Sequence, residues 1–431
     1  MDRAEIVRLD KARVWHPYTA MDEYVANVDP LVLARAKGAW LEDVDGRRYL
    51  DGNSSWYVAA LGHGHPRLLR ALGEQAATLA HCSLAGTTHE PAARLAEELC
   101  AIAPAGLTRV FYTDNGSTSI ELAVKMAVQM WRQLGAPKKT RFVALDGAFH
   151  GDTVGAASLS GVEVFRMPFA DILFDCVRAP FPDDDGYARA FETMMRIVRE
   201  QKDELAAVVV EPIVQGAAGM LVYDPAYLRA LRDTCTANDV LLIVDEVFTG
   251  YGRTGPMWAC DHAGIAPDVM CLGKAFASLL PMGAVLATER VFDAFRGGKD
   301  RALYYGHTFC GNPLGAALAR EVLAIYRDEA VIAQVARKAP VIARAFERIA
   351  GIAGVARVRS IGMIGAADLA ANDAGYFADA GWRVYEEARR RGAYLRPLGN
   401  TVYVTPPLVI EDGDLDALLG ILEESVRAVL A

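Results

Sequence analysis

Short runs of Val, Ile, Leu and Ala recur through the middle of the chain, at 109–113, 141–145, 206–210, 241–244, 269–272 and 284–288. Between them lie longer stretches with apolar positions at helical spacing, among them 117–134, 186–202 and 225–238. Brief apolar runs separated by helices predict strands buried on both faces, which is the habit of parallel sheets. The expected fold class is therefore α/β, a mostly parallel central sheet covered by helices. In such sheets ligands gather at the carboxyl ends of the strands.

The two ends of the chain are patterned differently. Residues 38–51 (GAWLEDVDGRRYLD) predict a hairpin turning at Asp45-Gly46. Beyond about residue 320 helical patterning dominates, followed by a short strand pair near 358–367 and 401–404. The expectation is a large central unit, residues 61–319, flanked by a smaller α+β unit drawn from residues 1–60 and 320–431.

Composition narrows the function classes. With 431 residues, 52% of them apolar, the chain can bury a large core. The net charge is −9 and no basic block occurs, so nucleic acid and anionic membrane are poor partners. The opening MDRAEIVRLDKARVW carries charges throughout and lacks the apolar segment of a signal peptide. No uncharged apolar run approaches the length of a membrane span. The seven cysteines are widely spaced and include no C-x-x-C, which predicts reduced thiols, no metal site and a cytoplasmic location.

Four strand ends carry candidate chemistry. The apolar run 241–244 leads into Asp245-Glu246. A carboxylate there needs a partner, because burying it alone is costly. A protonated pyridine nitrogen is one such partner; a capped loop or a magnesium ion would serve as well. The run 269–272 ends at Gly273-Lys274, where an apolar flank lowers the amine's pKa and makes it a nucleophile towards an aldehyde. After 109–113 come Asn115-Gly116-Ser117-Thr118 and a helix, whose free N–H groups could bind a phosphate or simply be capped. After 141–145 come Phe149, able to stack on a flat ring or to fill the core, and Asp152, able to orient a polar neighbour. A glycine-rich turn at 304–315 offers the Thr308 hydroxyl. Neither the G-x-x-x-x-G-K-[ST] of a nucleotide P-loop nor a G-x-G-x-x-G after a strand is present.

In order along the chain, NGST at 115–118, FHGDT at 149–153, EPIVQG at 211–216, DEVFTGYGRTG at 245–255, LGKAF at 272–276 and GHTFCGNPLG at 306–315 resemble the class III aminotransferases of pyridoxal-phosphate fold type I. The resemblance spans nearly the whole chain. It implies pyridoxal 5'-phosphate as cofactor, with Lys274 as the Schiff-base lysine that also moves the substrate proton. It implies Asp245 at the pyridine nitrogen, Val247 and Phe149 on the two ring faces, and Gly116 and Ser117 at the phosphate. His307 and Thr308 would come to the cofactor from a partner subunit, which implies a homodimer with shared sites.

The ends resemble one branch of that family, the 7,8-diaminononanoate synthases of biotin synthesis, through VWHPYTAM at 14–21, DGNSSWYVAALGHGHP at 51–66 and YLRPLGN at 394–400. That branch aminates 8-amino-7-oxononanoate, usually with S-adenosylmethionine as donor. Carried over, Arg396 would bind the acceptor's carboxylate, Tyr18, Trp56 and Tyr57 would wall the tunnel, and Gly306 would touch substrate through its backbone. A long-chain keto acid suits aromatic walls and one distant guanidinium. Three positions depart from the branch: Phe149 replaces a Tyr, Tyr57 a Trp and His307 a Pro. The Gly306-His307 pair resembles members that take L-lysine as donor. Two other readings remain open: a class III ω-amino acid or diamine aminotransferase, and a cofactor-binding protein without turnover.

Overall fold

The computed structural model describes residues 1–183, 185–370 and 378–431. Among them, the main sheet has seven strands: β1 (Leu107–Thr113), β2 (Arg141–Leu145), β3 (Cys176–Ala179), β4 (Leu205–Val210), β5 (Leu241–Asp245), β6 (Val269–Leu272) and β7 (Gly283–Thr288). Their order across the sheet is β1-β7-β6-β5-β4-β2-β3. Neighbours pair in parallel from β3 through β6, while β7 runs antiparallel to both β6 and β1. The reversal has a simple cause. Only a single 3-10 turn, Lys274–Phe276, lies between β6 and β7, and a return without a crossover helix can only place the next strand antiparallel.

Alternation along the strands feeds two cores. Leu242, Val244, Met270 and Leu272 point into one, while Leu241, Ile243, Val269 and Cys271 point into the other. The second core is closed by the helix Gly116–Gln133 through Ile120, Ala123, Met126, Ala127 and Met130. Every residue of β4 and β5 is buried, as the unbroken apolar runs of a doubly covered sheet require.

The chain ends meet each other. Trp40–Asp43 and Arg48–Asp51 form the hairpin expected at 38–51, turned by Asp43 Oδ1, which accepts from the Asp45 and Arg47 N–H groups. The strand Ala393–Tyr394 then pairs in parallel with Arg48–Asp51. The stretch expected as one strand near 358–367 is itself a hairpin, Val355–Ile361 with Ile364–Leu369, and Thr401–Val404 makes a third strand. Its turn holds Gly362 at φ +54°, where a Cβ would run into the Arg253–Gly255 backbone. Among the described residues no helix is long and apolar enough to cross a membrane. None of the seven cysteines is paired.

Candidate active site

A cavity of about 870 Å³ opens at the carboxyl edge of the sheet. All the candidate residues line it except Gly306, His307 and Thr308. The sheet register explains the convergence. Asp245 ends β5 opposite Cys271 of β6, and Lys274 follows three residues beyond that pair. β1 and β2 release Gly116–Ser117 and Phe149–Asp152 at the same edge.

Asp245 is buried and held by two donors. The Val247 N–H reaches Oδ1 at 3.1 Å, and His150 Nδ1 lies 2.8 Å from Oδ2. A carboxylate can only accept, so Nδ1 carries the proton. The His150 ring is fully buried, and its Nε2 has no hydrogen-bond partner among the described residues. Glu211, also buried, accepts from the Phe149 N–H at 3.0 Å and from the Gly216 N–H at 2.9 Å, and so braces the loop that carries His150. Burial pushes its carboxyl up to about 7, against the pull of His150.

Lys274 adopts φ +48°, a left-handed conformation that costs a side-chain-bearing residue about 1–3 kcal/mol. Its Nζ lies 5.1 Å from the Tyr57 ring centroid and 5.6 Å from that of Phe248. Burial among these rings lowers the amine's pKa from its ordinary value, and Asp245 and Glu211 only partly oppose the shift. At the phosphate end, Asn115 caps the helix Gly116–Gln133 in a reciprocal box with Thr118. That cap leaves the Gly116 and Ser117 amides without a helical partner. A Cβ on Gly116 would stand 2.6 Å from Val247 Cγ1, so the loop passes tightly over the β5 terminus.

The opposite wall is aromatic. Tyr18 donates its hydroxyl to Asp152 and meets the Trp56 ring at 5.7 Å and the Phe165 ring at 5.3 Å. Phe165 in turn packs edge-on to Phe149 at 5.6 Å. Tyr57 touches Phe248 at 4.5 Å and shares a 2.9 Å hydrogen bond with the buried Tyr403 hydroxyl. Trp56 and Tyr57 belong to a turn in which four consecutive residues, Ser54 to Tyr57, have φ between +44° and +73°. None is glycine, and each such residue costs about 1–2 kcal/mol. The turn is clamped accordingly. The Asp51 carboxylate accepts from the Asn53 N–H, the Ser55 hydroxyl and the His63 ring. The buried Arg253 guanidinium donates to Ser54 Oγ and to the Pro406 carbonyl, and Ser54 Oγ donates to the Thr405 carbonyl. Asn53 Oδ1 accepts the Arg396 N–H at 2.7 Å and so ties the turn to the arginine segment.

Gly306, His307 and Thr308 stand apart from the cavity. Gly306 and Thr308 are exposed, and His307 Nε2 lies 3.5 Å from Asp114 Oδ1 at the cavity rim. Sequence reasoning did not single out His150, Glu211, Phe165, Phe248 or Asn53. All but Phe165 fall inside motifs it used: His150 in FHGDT, Glu211 in EPIVQG, Phe248 in DEVFTGYGRTG and Asn53 in DGNSSWYVAALGHGHP.

The site can be compared with known proteins. The sequence profile described as Aminotransferase class-III matches residues 22–426. The adenosylmethionine-8-amino-7-oxononanoate aminotransferase of Geobacter sulfurreducens is 39% identical, over 97% of each chain. The crystal structure of the enzyme of the same name from Methanocaldococcus jannaschii superposes with a TM-score of 0.95 at 34% identity, over 99% of each chain. An amine transaminase from an uncultivated Pseudomonas species, solved in its PLP-bound form, gives 0.91 at 30% identity, over 97% of this chain and 99% of that one. Matched in sequence and in fold along nearly its whole length, the chain belongs to the class III aminotransferases, and pyridoxal phosphate is its cofactor.

Proposed function

We propose that the chain aminates 8-amino-7-oxononanoate to 7,8-diaminononanoate, a step of biotin synthesis, with S-adenosylmethionine as amino donor. The observation that carries the proposal is the pairing of an aromatic wall, Tyr18, Trp56 and Tyr57, with an arginine, Arg396, that has no carboxylate within ion-pair distance among the described residues. A long methylene chain wants the first and a terminal carboxylate the second. The printed names of the Geobacter and Methanocaldococcus proteins support both acceptor and donor.

The residues present fit the cofactor. The Gly116 and Ser117 amides, at a helix N-terminus, would hold its phosphate. Val247 and Phe149, which line the cavity, would flank its ring, and Asp245 would keep the pyridine nitrogen protonated. Bound pyridoxal phosphate supplies an aldehyde for amine exchange and an electron sink for the carbanion next to the migrating nitrogen. Lys274, whose neutral amine burial favours, would take the proton from the substrate carbon. Asp152 holds the Tyr18 hydroxyl, and the aromatic wall keeps water from the reacting atoms. On this reading residues 61–319 hold the cofactor, while 1–60 and 320–431 bring the acceptor's walls.

Gly306, His307 and Thr308 complete the neighbouring site of a homodimer. This fits their exposure and that of the flanking apolar side chains Tyr304, 78% exposed, and Phe309, 56% exposed. Unpaired thiols fit a cytoplasmic location. A donor half-reaction tests the proposal. S-adenosylmethionine should bleach the bound cofactor's visible band, and 8-amino-7-oxononanoate should restore it. Bleaching by L-lysine instead would assign the donor role to the His307 side of the site, and His307→Pro should then move the preference back. Restoration by pyruvate or 2-oxoglutarate, but not by 8-amino-7-oxononanoate, would sink the acceptor assignment in favour of a general ω-aminotransferase.

A further inference from the structure

Trp382 stands on the helix Ala380–Arg391, is 41% exposed and does not line the cavity. Its ring centroid nevertheless lies 5.7 Å from Arg396 Cζ, and that of Trp56 lies 4.9 Å from the same carbon. Trp382 is itself anchored. It packs edge-on to Tyr385 at 5.5 Å, and Tyr385 packs edge-on to Tyr394 at 5.7 Å, two residues before Arg396. Among the described residues the Arg396 guanidinium has neither a carboxylate nor a hydrogen-bond acceptor as partner; only its backbone N–H is bonded, to Asn53.

These facts combine in one way. An arginine in a cavity wall needs something to fix its long side chain, and the usual fixative is a carboxylate. A carboxylate would also occupy the N–H groups that an incoming anion must use. Aromatic faces attract the cation while consuming none of its donors. We infer that Trp382 is a positioning residue for acceptor recognition: together with Trp56 it holds the Arg396 guanidinium in place and leaves its N–H fork free for the carboxylate of the keto acid. The inference rests on the reading of Arg396 as the acceptor's carboxylate site. It adds a specificity determinant from a helix none of whose residues lines the cavity.

Steady-state kinetics of Trp382→Ala, Trp382→Phe and Arg396→Ala holoenzymes test it, using 8-amino-7-oxononanoate and the same acceptor without its carboxylate. A cation–π interaction of ordinary strength corresponds to roughly a 2- to 30-fold effect. Trp382→Ala should raise KM for the carboxylate-bearing acceptor within that range. It should leave KM for the carboxylate-free acceptor and the rate of donor-driven bleaching unchanged, and Trp382→Phe should restore most of the loss. The unchanged half-reaction also certifies that the variant is folded and loaded. If Arg396→Ala raises KM for the acceptor but Trp382→Ala does not, the role of Trp382 is overturned and the Arg396 reading stands. If Arg396→Ala itself leaves KM unchanged, the carboxylate site lies elsewhere and both fall. Equal losses for the two acceptors in Trp382→Ala would reduce Trp382 to packing and overturn the inference.

Discussion

His150 Nδ1 lies 2.8 Å from Asp245 Oδ2, a ring and a carboxylate buried together from residues 95 positions apart in sequence. The imidazole fixes which way the carboxylate faces and keeps it available to accept from a pyridinium. Partners that orient metal ligands in this manner are commonly worth about 10- to 100-fold in activity, and a loss of the same order is expected for a carboxylate that serves a pyridinium. His150→Ala should therefore lower kcat by that range while retaining cofactor. His150→Asn, which can still present an N–H, should recover part of it. Titration of the cofactor band alongside turnover separates the two effects, and an unchanged kcat in the alanine variant would remove His150 from the machinery.

Lys274 makes the cofactor-free protein less stable than it could be. Burial lowers the amine's pKa in the folded state, so folding sheds protons below the ordinary lysine range. The penalty is fully present below the folded pKa and disappears as pH rises through the unfolded value, 10.5. Lys274→Met should raise the Tm of the cofactor-free protein at neutral pH, abolish turnover, and lose its stability advantage as the buffer approaches pH 10.5. Thermal scans across pH 7 to 10.5 check the convergence; parallel curves would contradict it.

Glu211 shows the opposite sign. Its carboxyl is raised by burial from 4.5 to about 7, so the folded protein holds a proton that the unfolded chain has released. Stability from this group is present below pH 4.5 and is lost as pH rises to about 7. In Glu211→Gln that component vanishes. The stability difference between the two proteins should change between pH 4.5 and 7 in favour of the glutamine variant and stay constant above. The slope is the readout, since the amide also opposes one of the two backbone donors, Phe149 or Gly216, and shifts the absolute value.

Gly116→Ala places a methyl group 2.6 Å from Val247 Cγ1. Either the helix N-terminus or the β5 end must move, and both belong to the proposed cofactor cradle. The expected result is a rise of about tenfold or more in the Kd for pyridoxal phosphate, the equivalent of roughly 1.4 kcal/mol, with little change in the Tm of the cofactor-free protein. Equilibrium dialysis against the cofactor measures it, and an unchanged Kd would show that the loop has slack.

Strand-end chemistry was legible in the sequence wherever a side chain and its strand were adjacent. Asp245 and Lys274 close apolar runs that form neighbouring strands, so their meeting follows from a general rule of parallel sheets. His150 was not legible as a partner of Asp245, because the pairing depends on sheet order: β2 and β5 lie on either side of β4. The strand at 284–288 was legible but its antiparallel direction was not, since burial gives parallel and antiparallel strands the same apolar pattern. The aromatic wall was foreseen only through resemblance, and Phe165 escaped even that, lying on a short helix with no periodicity to read. Nothing in Ser-Ser-Trp-Tyr favours a left-handed backbone, so the conformation of 54–57 is imposed by tertiary bonds from residues up to 351 positions away.

That imposed turn has a temporal consequence. Its clamps include Asn53 to Arg396 and Ser54 to Thr405, and Arg253 reaches Pro406 beside them. Residues made early in translation thus wait for the last stretch of chain before they can take up their strained shape. β5, which ends at Asp245, pairs only with β4 and β6, strands that lie within residues 205–272. The strand ends under the proposed cofactor site are thus set by nearby chain, and the acceptor wall by the chain's two far ends.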